Sequence, residues 1–514
     1  MGCDSKSLTT GQARIFIQWG QSPTTPLLYA GVDDNDITIK GLEWARHGKT
    51  KKIWGADPYR RGAFVQRGTL SEPPDDGKLK ITFRQSCGGI PKLLAGVGCK
   101  INIYILFSCC GPLGDHLTSW ENGYVMALKG VDIGTISPGD IDPADDKPME
   151  VEADATYDEL YVLGSVKFGG NTTLPRKTTG VAYACNVSCG DCTPKDDGTK
   201  RIYWAMTGGG GERPSIVWTN DGGQTMQPIV FINGSIAGEV TGDLTVIGNR
   251  LVVLIAQVGK YYFADLDPVT GAPGLFTAVT LGFETDAWPT DIVTNGNGSR
   301  VYFTGALNGT VYVSEDVATG VKAVTRGLVP SAMRRVASCR AAHIAVGDDL
   351  SVLRTTNDWQ TTEVATFTLP LTSAPIDENA SFTGIYMVSE FEFYVTTDAG
   401  REFFTLDGGT NWSEIKFNGS GSGFIGDALM VDDLVRWFAH NGDTTARLFS
   451  SWTWDASRTN LAPRIAQFPA IQRIERLAAP VCSEPSKRVN QLAIAGTASD
   501  GVHGVAIIGA PNIV

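Results

Sequence analysis

The sequence predicts an all-β chain in which an N-terminal β-sandwich or barrel-like domain is followed by a seven-bladed β-propeller. Three observations carry that expectation. Glycine supplies 60 of 514 residues and proline 25, with 42 % hydrophobic residues, the balance of a globular chain with many tight turns. Short runs of alternating apolar and polar residues recur along the chain, while helix-period patterns are nearly absent. The last two thirds repeat a motif whose best copy is 403-FFTLDGGTNWSE-414. Its aspartates are Asp221, Asp267, Asp316, Asp358, Asp407, Asp455 and Asp500, separated by 46, 49, 42, 49, 48 and 45 residues. A period of about 40–50 residues holding several short strands denotes a propeller of four-stranded blades.

The first domain spans 1–165, and its expected strands are 14-RIFIQWG-20, 36-DITIKGLEWA-45, 62-GAFVQRGTL-70, 78-KLKITFRQ-85, 101-INIYILFSCC-110, 124-YVMALKGVDIG-134 and 149-MEVEADATY-157. One short helix is expected at 91-PKLLAGVG-98, and the basic stretch 46-RHGKTKKIWGADPYRRG-62 reads as a loop. Asp140, Asp142, Asp145 and Asp146 cluster in 137-SPGDIDPADD-146, which reads as a solvated loop rather than a calcium site. Residues 166–175 read as a linker and 176–514 as the propeller. Blade one is expected to begin near 181-VAYAC-185, with ring closure aided by 160-LYVLGSVKF-168.

The motif copies differ in quality. In 216-IVWTNDGGQTMQ-227, Thr219, Asp221, Gly223 and Thr225 fall where Thr405, Asp407, Gly409 and Asn411 fall in the best copy. The copy 353-LRTTNDWQTTEV-364 is read with Thr356 and Asp358 in the key positions and one residue fewer. Asp267 and Asp316 lie in degenerate copies; Asp455 and Asp500 lie in 451-SWTWDAS-457 and 497-TASDGVHG-504, which fit poorly alone. The pattern has a local cause: a short acidic side chain caps turn N–H groups, a glycine such as Gly223 or Gly409 supplies positive φ, and Trp412 packs on a strand. A lone aspartate with neutral neighbours offers too few oxygens for calcium. All seven aspartates therefore read as turn caps.

With Thr405, Asp407, Gly409 and Trp412 in place, and Asn411 departing from Thr, the stretch resembles the Asp box of sialidase-type (BNR) propellers. The resemblance implies a fold and no activity, since that box lies away from the catalytic face. A sialidase would also need an arginine cluster, a Tyr–Glu nucleophile pair and an Arg-Ile-Pro-type element before the first box. The chain has only 463-PRIAQFP-469 near its end, and Arg300, Arg335, Arg354, Arg401 and Arg436 are scattered. No catalytic residue is assigned. A glycoside hydrolase remains the enzymatic alternative, because two suitably spaced carboxylates on the central face suffice for one.

The net charge of −12 argues against sequence-specific nucleic acid as a partner. No apolar run reaches the ~18 residues that span a bilayer, and MGCDSKSLTTGQARIFIQWG lacks the apolar core of a signal peptide. The opening MGC departs from a myristoylation site at Lys6. Ten cysteines sit irregularly and read mostly as buried thiols; five histidines leave little for histidine catalysis. Cys185, Cys189 and Cys192 have the Cx3CxxC spacing of radical-SAM enzymes but the wrong context. With Cys482 they are weak zinc candidates, against a disulfide or plain thiols. No cofactor is expected.

Between Tyr59 and Val162 the order of elements, with LLAGVGC at 93–99, 109-CCG-111 and 115-DHLTSWENGYVMALKGV-131, is similar to tail-tube and related virion proteins of long-tailed bacteriophages. The resemblance covers about a hundred residues and is one of layout. It implies self-assembly of the first domain into rings or tubes with other tail proteins, in a virion put together in the host cytoplasm. The propeller would then decorate the exterior, where cell-surface glycans are a possible ligand. A propeller that binds a protein partner, without viral origin, is the third reading.

Overall fold

A computed structural model describes residues 13–19, 27–29, 37–45, 49–56, 64–72, 77–85, 100–107, 124–138, 150–164, 166–184, 201–209, 211–256, 259–280, 282–283, 289–294, 300–339, 341–371, 373–377, 379–387, 389–415, 424–432, 435–441, 446–452, 464–467, 471–479 and 492–511. It is all-β: among the described residues the regular structure is strand, apart from a 3-10 turn at Asp348–Leu350. Two compact units meet in sequence at Gly164 and Ser165.

The first unit contains β1 (Ala13–Trp19), β2 (Leu27–Tyr29), β3 (Ile37–Ala45), β4 (Lys49–Ala56), β5 (Phe64–Glu72), β6 (Gly77–Gln85), β7 (Ile101–Phe107), β8 (Tyr124–Pro138), β9 (Glu150–Tyr157) and β10 (Glu159–Gly164). Seven follow the order β2-β1-β7-β8-β9-β6-β3, and β10 pairs with β8. The long β8 pairs with β7 and β10 through its first half and with β9 through its second. Alternation then sets the core: Ile103 and Ile105 of β7, Leu128 and Val131 of β8, Leu79 and Ile81 of β6, and Ala153 and Ala155 of β9 share one buried cluster. Both halves of the sheet contribute to that cluster. The basic stretch expected as a loop is largely strand: β4 pairs with β5 from Lys49↔Glu72 to Ala56↔Phe64. Alternation in this stretch is masked by lysines, which hid it. The helix expected at 91–98 and the acidic loop from 139 onward lie outside the described residues.

The second unit is a β-propeller of seven four-stranded antiparallel sheets. Blades I to VI occupy 178–231, 241–279, 289–325, 333–365, 382–415 and 424–467, each running in sequence from its innermost strand to its outermost. Blade VII differs. Its three inner strands come from 471–511, and its outermost strand is β11 (Val166–Leu174), paired antiparallel with Gly504–Pro511. The stretch read as a linker is therefore part of the propeller. Its strand pattern is broken by Gly169, Gly170 and a bulge between Gly169 and Thr172, which disguised it. Side chains also fasten the ends: Thr178 Oγ1 accepts from Gly496 N at 2.8 Å, and Trp204 Nε1 donates to Ile494 O at 3.0 Å.

Candidate functional site

The innermost strands (Thr178–Tyr183, Thr241–Ile247, Pro289–Thr294, Met333–Cys339, Phe382–Met387, Phe424–Asp432 and Ile471–Ala478) ring the propeller axis, each touching the next and the first touching the last. Each slips its pairing with the second strand at the same place, the shift ending at Gly180, Leu244, Asp291, Arg335, Gly384, Asp427 or Arg476. A bulge re-aims the side chain beside it. The equivalent residues around the ring are thus Gly180, Asp243, Asp291, Arg335, Gly384, Asp427 and Arg476. The two glycines have a spatial reason: a Cβ on Gly180 would lie 2.6 Å from Asp243 Oδ1, and one on Gly384 3.5 Å from Asp427 Cα and 2.5 Å from Thr396 Oγ1.

These side chains form one buried ionic layer across the channel. Arg476 Nε meets Asp243 Oδ2 at 2.7 Å, and its Nη2 meets Asp291 Oδ1 at 3.1 Å. Arg335 Nη1 stands 3.8 Å from Asp291 Oδ1, while its Nε donates to Thr383 O at 2.7 Å. The carboxylates also accept from backbone, Val336 N to Asp291 Oδ2 at 2.9 Å and Leu477 N to Asp427 Oδ2 at 2.8 Å, which stitches blade III to IV and VI to VII. Burial pushes the Asp291 carboxyl up to about 6 against the pull of Arg476 and Arg335. It raises Asp427 as well and lowers Arg335, whereas the three carboxylates around it hold Arg476 above its ordinary value despite burial.

On one side of this layer the channel opens into a polar cavity of about 620 Å³, lined by Thr290, Arg334, Ser381, Thr383, Asp398 and Glu475 among others. Charges there are paired: Arg334 grips Asp348 at 2.7 and 3.0 Å, and Arg473 meets Glu475 at 2.9 Å. On the other side Val293, Ala337, Tyr386, Leu429 and Ala478 narrow the channel to about 140 Å³. Of the scattered arginines, the fold brings Arg335 into the channel. Arg300 stands near Asp358, Arg354 packs under Gly408, and Arg401 pairs with Glu414; the side chain of Arg436 lies outside the described residues. Sequence reasoning missed the layer because its members are single residues 43 to 63 positions apart; aligning the inner strands on the repeat would have found it.

The turn residues sit between the third and fourth strands, at the end of the propeller away from the cavity. Thr405 Oγ1 donates to Asp407 Oδ1 at 2.8 Å, and that oxygen accepts from Thr410 N at 3.0 Å and Asn411 N at 2.9 Å. Gly408 and Gly409 have φ of 75° and 94°, and Trp412 is buried against Phe367 and Phe393. Asp221 repeats this with Thr219, Gly223 and Thr225, and its hydrogen bonds pull its carboxyl down to about 2. Asp267 and Asp316 cap their turns through nearer N–H groups, accepting from Val269 N at 2.9 Å and Ala318 N at 3.1 Å.

Two of the seven assignments need correction. In blade IV, Asn357, not Asp358, holds the capping position: it accepts from Thr355 Oγ1 and Thr361 N, both at 2.9 Å. With Thr355 aligned on Thr405 no residue is missing. Asp358 and Trp359 replace the two glycines and take φ of 56° and 61°. Asp500 lies between the second and third strands of blade VII, so it continues the spacing without sharing the position; it caps Val502 N at 2.8 Å. Asp455, Cys185, Cys189, Cys192 and Cys482 lie outside the described residues. Cys339, one of the ten cysteines read mostly as buried thiols, is disulfide-bonded.

The displaced Asp358 serves another purpose. Its Oδ1 meets His343 Nε2 at 2.9 Å, and His343 Nδ1 meets Ser338 Oγ at 2.9 Å. The residue types and order are those of a nucleophilic triad. Ser338 and His343 are both 0 % exposed, so no substrate reaches either. Burial lowers the His343 pKa, and the chain acts as a clamp inside blade IV.

Among the described residues no helix is long and apolar enough to cross a membrane, and no group of three or more His, Cys, Asp or Glu is placed to hold a metal. No protein-family model matches the chain. No curated protein is significantly similar to it in sequence. Solved structures are similar to it at low identity. U3-55K shares 12 % identity at a TM-score of 0.47, over 67 % of this chain and all of that one. YCF48 from Cyanidioschyzon merolae shares 13 % at 0.46, over 67 % and 100 %. Chaetomium thermophilum Raptor shares 10 % at 0.46, over 68 % of this chain and 29 % of its own.

Proposed function

We propose that the chain is a structural subunit of a tailed-bacteriophage virion, a tail-tube protein whose first unit assembles into rings and whose propeller stands outside as a surface for host protein or glycan. The β4–β5 ribbon is the observation that supports this reading most. Strands of eight and nine residues pair with each other in a two-stranded sheet of their own. A lone two-stranded ribbon is marginal in water. Its open backbone edges, and those of β2 and β3, invite strands of neighbouring copies. The ribbon carries Lys49, Lys51 and Lys52 in a chain of net charge −12, so an acidic neighbouring copy is a favourable partner. In this reading the turns at Asp221 and Asp407 are of the Asp-box type and hold blades together, and the propeller is not catalytic. Its channel carboxylates are held by guanidinium or backbone N–H groups.

Negative-stain microscopy of the purified chain tests the reading: rings or tubes bearing lateral knobs are expected, and monodisperse monomers at all concentrations sink it. The enzymatic alternative makes a separate prediction. Turnover of chromogenic glycosides that is lost in Asp243→Asn or Asp427→Asn would replace the structural reading with a hydrolase.

A further inference from the structure

Among the described residues the ionic layer in the channel is not charge-balanced. Three carboxylates, Asp243, Asp291 and Asp427, face two guanidiniums, Arg335 and Arg476, and the pairing side chains Asp243, Asp291, Arg335 and Arg476 are between 7 and 16 % exposed. The other charged groups near Asp291 compensate one another. Arg334, on the strand facing it, is bound to Asp348, and Glu475, beside Arg476, is bound to Arg473. Below the layer the lining is apolar. A buried charge without a counterion is costly, and a buried carboxyl escapes that cost by taking up a proton.

We infer that the layer is a proton-linked latch: Asp291 takes one proton from solvent through the cavity in mildly acidic conditions, which balances the layer, and releases it near neutral pH, which loosens the ties across the ring. Arg476 is the group that feels the change, because it joins blade VII to blades II and III through Asp243 and Asp291. Asp427 is the second carboxyl affected, since its described partners are the backbone N–H groups of Ala428 and Leu477. The direction agrees with burial raising Asp291 to about 6. A carboxyl whose pKa is raised on folding contributes stability that is present below its unfolded value near 3.8 and is lost as pH rises through about 6.

Charge balance and ordinary ion pairing make opposite predictions for the same substitutions. Melting is followed from pH 5 to pH 8 for the full chain and for Asp291→Asn, Asp427→Asn and Arg335→Met. The latch requires Asp291→Asn to remove the decline of melting temperature with pH and to melt about 2–4 °C above wild type at pH 7.5. Asp427→Asn, which also leaves two carboxylates on two guanidiniums, shifts it the same way. Arg335→Met, which leaves three on one, melts lower and steepens the decline. His343 titrates in the opposite sense in all four proteins, so differences from wild type isolate the layer. Infrared spectroscopy reads the proton itself: a band of a buried, protonated carboxylic acid is expected at pH 5, lost at pH 8 and absent in Asp291→Asn. The proposal fails if Asp291→Asn melts lower with an unchanged pH slope, or if wild type shows no such band at pH 5.

Discussion

At the scale of single residues, the turn caps and the clamp in blade IV make separable predictions. Asp407→Ala removes the acceptor for two backbone N–H groups and for Asn411, and should cost roughly 1–2 kcal/mol in denaturant unfolding, unaffected by calcium. Asn357→Ala should cost a similar amount, because Asn357 fills the same position. Asp358→Ala acts elsewhere: it strips the partner from an imidazole that is 0 % exposed, a loss of about 1–3 kcal/mol. The sign of its pH effect is fixed as well. The His343 pKa is lowered in the folded state, so its contribution is present above the unfolded value near 6.5 and falls as pH drops below it. The capping role was legible in the sequence because a cap acts within four residues. The shift from Asp358 to Asn357 was not, because the true match puts an amide on the expected carboxylate and two bulky residues on the expected glycines.

At the scale of elements, β11 decides whether the ring closes. Without it blade VII keeps only three strands and presents Gly504–Pro511 as an open edge. A chain beginning at residue 176 should therefore unfold at a lower temperature and less cooperatively than one beginning at 165, in calorimetry of the two fragments. Thr178→Val tests the same seam more gently. It keeps the volume but leaves Gly496 N and Val505 O without their hydroxyl partner, which should cost about 1–3 kcal/mol. Most strands of the first unit were legible from alternation, which in β6, β7, β8 and β9 matches the buried cluster. The lysine-rich β4 and the glycine-broken β11 were not, because lysines and glycines stand where the apolar alternation of a strand is sought.

At the scale of the whole molecule, each unit has its own core, the first centred on Ile103, Ile105, Leu79 and Ile81 and the second built between successive blades. Removal of residues 1–164 should leave the melting temperature of the propeller within about 2 °C of its value in the full chain, as expected of a cooperative unit. Calorimetry of the 165–514 fragment checks this, and a large drop would show that the units depend on each other.

The sequence by itself determined the class of fold and the number of blades, because short strands broken by turn residues recur at a near-constant period, which is local chemistry repeated along the chain. Only the tertiary structure decided which residues meet. Gly180, Asp243, Asp291, Arg335, Gly384, Asp427 and Arg476 are single positions on seven strands, unremarkable in their own segments. Closing the ring places them at one level of one narrow channel, where burial shifts Asp291 and Asp427 upward.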